Sequence, residues 1–510
     1  MTDALTSENR LGRNLVANFL GQVISASMAI LFVPVYVEIL GIEAYGLIGF
    51  YTLIQMFLTV LEMGIYPVLG RHMARFTSGK IDAQEVGDLF KTYLVLTVPV
   101  GALLALLIAL LSGPLASSWF NLTDLSPGVV SQALAMIGIV VGLRLVEVVF
   151  RSVILGLQFQ VIYNVIFSLM AILRYGGVIG FLLYFESSIT AFFQWQIIVS
   201  AIGVVCYMCI CFRCLPRSNR KSNFSLSVLV QSGRFAAGTM LITLLSVSYR
   251  QLDKLYLSKT IDLSEFGYYA FAFMLSSMPI LMVGPLYQAF YPRFVELFAE
   301  GDAAKLRSSY LRATLYAGII ASVSGVPLMF FSEEIVWVWS GDRQLADGVS
   351  RFLPILVIGG IIDAMLYIPY CVQIAYGWTR LAVLMFGMSL PIFLLIVAST
   401  VPAFGPVSAA WAWVGINACL LLVWVPLMHR RILKRTALQW YIGSAAVPFA
   451  VAVLVALILL PIIPDGGSRW VGFISLGSMG IVLLIVVAAA SYFAQRVLLR
   501  LKAPSEGCEE

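Results

Sequence analysis

The chain has 510 residues, of which 61% are hydrophobic and only 11% are charged, and its mean hydropathy is +0.95. Soluble globular domains carry about 25% charged residues, so this composition excludes a soluble protein and indicates an integral membrane protein. The net charge of +6 follows from where the cations lie in the chain and gives no reason to expect a nucleic-acid partner.

Apolar runs of helical length predict an all-α polytopic membrane protein with about fourteen spanning helices, because one span needs about 20 apolar residues. No connection between the runs is long enough to hold a separate soluble domain. The predicted spans are 14–39, 45–67, 90–113, 129–156, 162–184, 189–212, 233–258, 264–291, 309–331, 349–375, 380–400, 405–428, 440–461 and 471–497.

Lys and Arg residues are concentrated in alternate connections, beginning with Arg10 and Arg13 before the first span and ending with Arg496, Arg500 and Lys502 after the last. Cytoplasmic segments are enriched in these cations. We therefore expect both termini to lie in the cytoplasm. The first span is not predicted to be a signal peptide, since its apolar sequence continues to Val37.

A weak internal repeat divides the predicted spans. The segment from Tyr36 to Ile54 aligns with the segment from Tyr256 to Leu275, so that Gly46 pairs with Gly267 and Glu43 with Ser264. The repeat predicts two lobes of similar design, and the full division is an N-terminal lobe (1–212, helices 1–6), a cytoplasmic linker (213–232), a C-terminal lobe (233–436, helices 7–12), and helices 13–14 with a tail (437–510).

Polar residues recur at helical spacing inside apolar spans, which places each set on one helix face. Lipid cannot satisfy such groups, so each stripe is expected to face protein or a water-filled cavity. Ser and Thr alone are explained by hydrogen bonds between helices, whereas stripes that end in ionised residues favour a cavity. The stripes are Asn14, Asn18, Gln22 and Ser25 in the first span and Thr52, Gln55, Thr59 and Glu62 in the second.

Charged residues near mid-membrane form the sharper signal. Arg144, Glu147 and Arg151 share a face of the fourth span, and Arg174 lies at the centre of the fifth. A charge at the bilayer centre costs at least about 2.5–3.5 kcal/mol, so pairing, water or function should offset it. A structural explanation is an Arg144–Glu147 pair three residues apart, which leaves the other arginines without an obvious acid.

The remaining core charges lie in the second half. Arg250, Asp253 and Lys254 occur in the seventh predicted span, and Asp363 lies at the centre of the tenth. The balance is cationic and suits an anionic substrate, because guanidinium binds phosphate through paired donors. Glu147, Asp253 and Asp363 are candidates for proton or sodium coupling, although Asp253 and Lys254 also have a simple explanation as a pair.

No metal site or cofactor is predicted. Four of the seven cysteines (Cys206, Cys209, Cys211 and Cys214) crowd into one stretch, but helical spacing spreads them around the helix. The two histidines, His72 and His429, fall in separate predicted loops. Neither set converges on one point.

With these residues in hand, the chain resembles the Wzx-type polysaccharide flippase family of the MOP superfamily. The resemblance covers most of the chain and is weakest in the last two helices. It rests on ILGIEAYGLIGFYTLI with LEMGIYPVLGRHMARF at the front, on QLDKLYLSKTIDLSEFGYYAFAFML in the middle, and on EEIVWVWSGDRQLADGVSRFLPILVIG before the tenth helix.

The resemblance implies a pair of six-helix lobes with two additional C-terminal helices, in the inner membrane of a bacterium. It also implies export of an undecaprenyl-diphosphate-linked oligosaccharide by alternating access, driven by an ion gradient, without enzymatic activity of its own and near a polysaccharide polymerase or ligase. The role of cavity cations is carried over to Arg144, Arg151, Arg174 and Arg250. Two alternatives stay open: a MATE-type exporter of cationic drugs, which would need an acidic cavity, and a membrane glycan polymerase or ligase, which would need a sizeable outer loop.

Overall fold

The computed structural model of the chain describes residues 2–216, 220–434, 436–462 and 468–500, and it describes side chains from residue 17 to residue 496 apart from 228, 231 and 462 within those ranges. The side chain of Asn14, the middle of the predicted linker and the end of the predicted tail therefore lie outside the described residues. Across the described ranges the regular elements are helical, and the isolated bridge between Asn121 and Asp262 is the exception. The predicted all-α polytopic fold is confirmed, since thirteen described stretches are long and apolar enough to cross a membrane.

The chain divides into two compact units, Met1–Gly267 and Tyr268–Glu510. The predicted boundaries of the lobes stay a prediction. The helices of the first unit are α1 (Thr2–Leu31), α2 (Val33–Leu40), α3 (Ile42–Thr77), α4 (Ala83–Ser118), α5 (Pro127–Gly156), α6 (Gln160–Ala171), a π-helical turn (Ile172–Gly177), α7 (Val178–Tyr184), α8 (Ile189–Cys214) and α9 (Leu226–Thr260).

The next helix, α10 (Leu263–Ser276), begins in the first unit and continues into the second. The second unit then contains α11 (Met278–Glu300), α12 (Ala303–Phe330), α13 (Ser332–Ser340), α14 (Arg343–Ser350), α15 (Leu353–Ala375), α16 (Thr379–Phe404), α17 (Val407–Arg431), α18 (Ala437–Gln439), a π-helical turn (Trp440–Ala446), α19 (Val447–Leu459), a 3-10 turn (Leu460–Ile462) and α20 (Arg469–Arg500).

The seventh predicted span coincides with α9, which is long enough to cross a membrane at 35 residues. It is absent from the thirteen apolar stretches of the described chain. Five charged residues, Arg234, Arg250, Asp253, Lys254 and Lys259, lie on this one helix.

Prolines interrupt two of the predicted spans. Pro34 follows the break between α1 and α2, and Pro279 follows the break between α10 and α11. Proline lacks a backbone donor and is tolerated in the first turn of a helix, so a new helix begins at each of these points. Pro99 and Pro369 instead lie inside continuous helices.

The centre of the first unit is α5, which packs against α3, α4 and α8. Gly142 on α5 allows the close approach to α4, since a Cβ there would lie 2.6 Å from the carbonyl oxygen of Gly101. Small residues let membrane helices approach in this way. Because three other helices pack around α5, its polar face lies against protein.

The start of α3 meets the start of α10 inside the first unit. A Cβ on Gly46 would lie 2.3 Å from the carbonyl oxygen of Leu263, and a Cβ on Gly267 would lie 2.4 Å from that of Ile42. Gly46 and Gly267 are the residues that the predicted repeat aligns, and each carbonyl lies four residues before a glycine. The two repeat-related helix ends therefore contact each other reciprocally, through backbone that no larger residue would permit.

A buried carboxylate fixes the adjacent loop. Glu43, 3% exposed, accepts hydrogen bonds from the backbone N–H groups of Thr123, Asp124 and Leu125 at 2.7, 2.6 and 2.8 Å. The same loop bonds to the turn before α10, where Leu263 N donates to Asn121 O at 2.9 Å. Glu43, Gly46, Gly267 and the loop at residues 121–125 are together called the closed region.

Candidate functional site

The local sequence of α5 positions the main cluster of charges. Ser126 caps the helix by accepting a hydrogen bond from Val129 N at 3.4 Å, and the helix then runs unbroken to Gly156. Gln158 follows with a φ of 66°, a left-handed conformation that ends the helix. The chain turns there into α6, which brings Tyr163 beside the last turns of α5.

The structure corrects the pairing that the sequence suggested. Glu147 is buried, and its Oε1 lies 3.6 Å from Nη1 of Arg151, one helical turn further on, rather than on Arg144. Both spacings are compatible with helical contact, so the sequence alone could not choose between them. The pair leaves Arg144 and Arg174 as the arginines of this cluster without an acid of their own.

Arg144 and Arg174 are held close together by the protein around them. Arg174 is 8% exposed and interacts electrostatically with Arg144, Tyr51, Glu147 and Tyr175. Arg144 is half-buried, and its Nε is buried without an acceptor. Among the described residues, neither guanidinium has a carboxylate within 4.0 Å or a side-chain hydrogen bond. Arginine stays charged in proteins, so these two guanidinium groups carry positive charge without a direct salt bridge, and the nearby acids that act on Arg144 are Glu147 and Glu62.

A π-helical turn carries Arg174. Such turns leave backbone carbonyls without their usual partners and occur frequently at functional sites. Three side chains satisfy them: Trp195 Nε1 donates to Leu173 O at 2.8 Å, Gln196 Nε2 to Arg174 O at 3.3 Å, and the hydroxyl of Tyr36 to Tyr175 O at 2.5 Å. The neighbouring helices thus hold the irregular turn, and with it the backbone of Arg174, in place.

A cavity of about 290 Å³ opens at Arg151 and is called the unit 1 cavity, and Arg144 and Arg174 do not line it. Four predicted site residues line it: Asn18 and Gln22 from α1, Glu62 from α3 and Arg151 from α5. The polar stripes of three different helices therefore meet at one place. Gln55, on the same stripe as Glu62, is half-buried and does not line this cavity.

The sequence analysis missed several residues of the cavity wall. Tyr66, Tyr163, Asn164 and Phe167 also line it. The hydroxyl of Tyr163 accepts a hydrogen bond from Arg151 Nη2 at 3.2 Å, and Asn164 Nδ2 donates to Asn18 Oδ1 at 2.5 Å. Tyr163 and Asn164 are adjacent at the start of the fifth predicted span, where they form no charged or periodic stripe.

The predicted site residues of α9 lie in the first unit but do not line the unit 1 cavity. Asp253 is fully buried, and its Oδ1 lies 3.1 Å from Nζ of Lys254, which also donates to the carbonyl of Arg250 at 2.6 Å. The simpler explanation of Asp253 and Lys254 as a pair thus matches the geometry. Arg250 itself is half-buried and takes part in this charged group.

Asp363 belongs to the second unit, on α15, and is 8% exposed. Helical spacing places Tyr367 and Tyr370 on its face of α15. Tyr287 of α11 packs against both rings, with centroid distances of 4.9 and 6.4 Å. The candidate acid of this unit therefore lies on the same helix face as an aromatic cluster.

Possible metal ligands form no cluster in the described part of the chain. Within the described residues, His, Cys, Asp and Glu form no group of three or more that could hold an ion. His429 is buried and contacts the hydroxyl of Tyr310 at 3.1 Å, which makes it a core residue of the second unit. The prediction of a loop position for His429 is wrong, because this residue lies in the last turn of α17.

Solved structures share this fold. An inward closed conformation of the lipid II flippase MurJ superposes with a TM-score of 0.66 at 13% identity, over 95% of this chain and 99% of that one. An inward-facing multidrug resistance MATE family transporter of the MOP superfamily gives 0.64 at 13% identity, over 80% and 94%. A MOP superfamily transporter from Pyrococcus furiosus, described by the reverse polarity of its binding pocket, gives 0.58 at 14%, over 82% and 95%. At such identities the likeness establishes the fold alone.

The sequence itself supplies the family. No curated protein sequence matches the chain. Residues 11–298, more than half of the chain, match the family described as polysaccharide biosynthesis protein. The chain therefore belongs to the polysaccharide biosynthesis protein family, with the fold of MOP superfamily transporters, as its motifs predicted.

Proposed function

We propose that this protein is a transporter that moves an undecaprenyl-diphosphate-linked oligosaccharide from the cytoplasmic to the outer leaflet by alternating access. The glycan would serve the synthesis of a cell-surface polysaccharide such as O-antigen, capsule or exopolysaccharide. The family supports a role in polysaccharide biosynthesis, and the fold supports transport.

The observation that carries the proposal is the unmatched positive charge beside the unit 1 cavity. Arg144 and Arg174 have no acid within 4.0 Å among the described residues, and Arg151 lines the cavity. Guanidinium groups bind phosphate through paired, charge-assisted hydrogen bonds. A diphosphate would therefore supply the acceptors that the protein lacks, while the prenyl tail stays in lipid.

The same charge balance disfavours a MATE-type exporter of cationic drugs. A cationic ligand at Arg144 and Arg174 would meet like charge in a medium of low dielectric, where repulsion is strong. A cationic drug would need a surplus of acid, and Glu147, which acts on both of these arginines, is already paired with Arg151.

Ion coupling forms part of the proposal. Glu147 and Asp253 each pair with a cation, Arg151 and Lys254, and Asp363 is buried in the second unit. Protonation or sodium binding at such a carboxylate would release its partner, which links occupancy to conformation. The driving ion would be H⁺ or Na⁺, with no other cofactor.

The setting follows from the same proposal. We place the protein in the bacterial inner membrane with both termini in the cytoplasm, on the evidence of its Lys and Arg distribution. It would act as a transporter rather than as an enzyme. A polysaccharide polymerase or ligase would act on the flipped product and is the expected neighbour, along with membrane lipids.

The deciding experiment compares a deletion strain with the same strain carrying the restored gene, and it measures the amount and leaflet of the lipid-linked glycan. We expect accumulation confined to the cytoplasmic leaflet, reversed on restoration, with the glycan identified by mass. An unchanged lipid pool with altered drug sensitivity would support the exporter instead. Unpolymerised units in the outer leaflet would indicate a polymerase or ligase.

A further inference from the structure

Tyr163 lines the unit 1 cavity, and its hydroxyl is available as a hydrogen-bond donor. Its oxygen accepts a hydrogen bond from Arg151 Nη2 at 3.2 Å, and the guanidinium lies over the tyrosine ring, 5.8 Å from its centroid. With that lone pair engaged, the hydroxyl proton is left to donate. The ring is further fixed by a parallel stack on Phe167, at 5.7 Å between centroids. Tyr163 therefore presents an O–H group at a defined place beside Arg151.

A hydrogen bond also fixes the orientation of the Asn18 side chain. Its Oδ1 accepts a hydrogen bond from the buried Asn164, whose Nδ2 also donates to Gln160 O at 2.7 Å. The oxygen end of the Asn18 amide is thus engaged with α6. Its NH₂ end donates to no other described side chain, and it lies in the wall of the cavity. The parts of the cavity wall formed by α1 and α6 accordingly offer hydrogen-bond donors.

These two donors suit a neutral oxygen-rich group attached directly to an anion. Because Tyr163 and Arg151 are hydrogen-bonded to each other, a ligand that contacts both carries acceptors on neighbouring atoms, and a charged acceptor next to a neutral one would use each donor. A sugar 1-phosphate has this arrangement. The cavity of about 290 Å³ is near the lower end of small-molecule sites, which span about 300–1,000 Å³. It would hold only the part of an oligosaccharide next to the phosphate.

We infer that Asn18 and Tyr163 form a sugar subsite beside the phosphate-binding Arg151 and take the first sugar of the lipid-linked glycan. The inference rests on the proposed function and deepens it, because it assigns substrate selection to named residues. Glu62, on the same cavity wall, supplies an acceptor for sugar hydroxyls. The rings of Tyr66 and Phe167 provide apolar surface for the C–H face of the sugar.

The test measures binding to the purified full chain in detergent, by native mass spectrometry, with two kinds of probe. One is bare undecaprenyl diphosphate, and the other is the same lipid carrying glucose, galactose or N-acetylglucosamine. We expect the wild type to prefer at least one glycosylated lipid over the bare lipid. Tyr163→Phe keeps the ring and removes the hydroxyl, and it should lower that preference by about 2- to 12-fold, the worth of one hydrogen bond. Asn18→Asp keeps the oxygen that Asn164 binds and removes the NH₂ donor, and it should lower the preference as well.

Three further variants separate recognition of the sugar from other effects. Arg151→Gln should weaken binding of the bare and glycosylated lipids by the same factor, because both carry the diphosphate. Tyr441→Phe removes a hydroxyl that donates to Leu421 O at 2.6 Å in the second unit, and it should change neither affinity. Asn164→Leu removes the bond that orients Asn18, and it should lower the preference for the glycosylated lipid as Asn18→Asp does.

The outcomes are distinct. Equal binding of bare and glycosylated lipids by the wild type overturns the sugar subsite but leaves the proposed function standing. Equal loss for both lipids in Tyr163→Phe also overturns it and assigns Tyr163 to the phosphate. If the wild type binds none of these lipids, the proposed function itself fails.

Discussion

Two buried charges in the first unit differ in how the protein treats them. The Glu43 carboxylate, 3% exposed, accepts three backbone N–H groups of one loop. The Arg174 guanidinium, 8% exposed, has no salt bridge or side-chain hydrogen bond among the described residues. Burying a charge without partners is costly, so the first arrangement is structural, and under the proposed function a bound anion would complete the second. Burial alone does not tell a structural charge from a binding one, whereas the list of its partners does.

The largest expected effect is on stability, and it follows from removing the Glu43 carboxylate. Glu43→Ala removes the acceptor for three backbone N–H groups in a buried setting, and each unsatisfied donor costs about 1–3 kcal/mol. We expect a marked fall in melting temperature in detergent and faster hydrogen exchange at residues 123–125. Glu43→Gln keeps one amide oxygen and should give an intermediate result. Unchanged exchange at these amides would contradict the structural role.

Arg174→Gln should give the opposite pattern. It removes a buried charge that has no partner in the described protein, so the melting temperature should stay the same or rise. Transport of the lipid-linked glycan should fall by about 10- to 100-fold, because a charge-assisted hydrogen bond contributes about 1.5–3 kcal/mol. Arg144→Gln should behave in the same way. Transport is followed as the fraction of lipid-linked glycan in the outer leaflet.

A surface variant provides the control for this pair. Nη1 of the exposed Arg293 lies 2.6 Å from Oε2 of Glu296. Arg293→Gln removes an arginine charge that is distant in sequence from the Arg144 and Arg174 cluster. Exposed pairs contribute about 0–1 kcal/mol, so neither stability nor transport should change. Full transport by both Arg144→Gln and Arg174→Gln would show that the cluster does not bind substrate.

Two glycine variants test whether the closed region is stabilised by close backbone contact as well as by the Glu43 carboxylate. Gly46→Ala and Gly267→Ala each place a methyl group within 2.4 Å of a carbonyl oxygen of the facing helix. Overpacking of this kind costs about 1–3 kcal/mol, and we expect each variant to lower the melting temperature. Binding of undecaprenyl diphosphate to the detergent-purified chain should be unchanged. Gly70→Ala on the same helix, where a Cβ meets nothing within 4 Å, is the matched control.

The spacing of polar residues predicted which of them share a helix face, but it did not predict which residues they pair with. Asn18, Gln22, Glu62 and Arg151 come from three helices and line one cavity, as the spacing of polar residues in apolar spans led us to expect. The partner of Glu147 was beyond the sequence, since residues three and four positions away both lie within reach on a helix. Helical spacing fixes a face but not the choice of rotamer along it.

Other features depend on tertiary contacts that leave no periodic signal. Glu43 occurs at a predicted helix start, where an acid is usual, and only the folded loop at 123–125 makes it a buried acceptor. The left-handed Gln158 and the π-helical turn at Arg174 are backbone events within otherwise regular apolar sequence. Tyr163 and Asn164 therefore reach the cavity through a chain reversal that composition does not predict.

The smallest expected effect concerns the π-helical turn that carries Arg174. Trp195→Phe removes the hydrogen bond to Leu173 O, and the loss of one such bond costs about 0.5–1.5 kcal/mol. If the turn positions Arg174, affinity for undecaprenyl diphosphate should fall by about 2- to 12-fold, and the same substitution in an Arg174→Gln background should have no further effect on binding. Equal effects in the two backgrounds would mean that Trp195 affects binding independently of Arg174, since residues that act through one another are not additive. This double-mutant cycle separates a helix turn that serves a charge from one that merely packs, and it does so without relying on the size of either single effect.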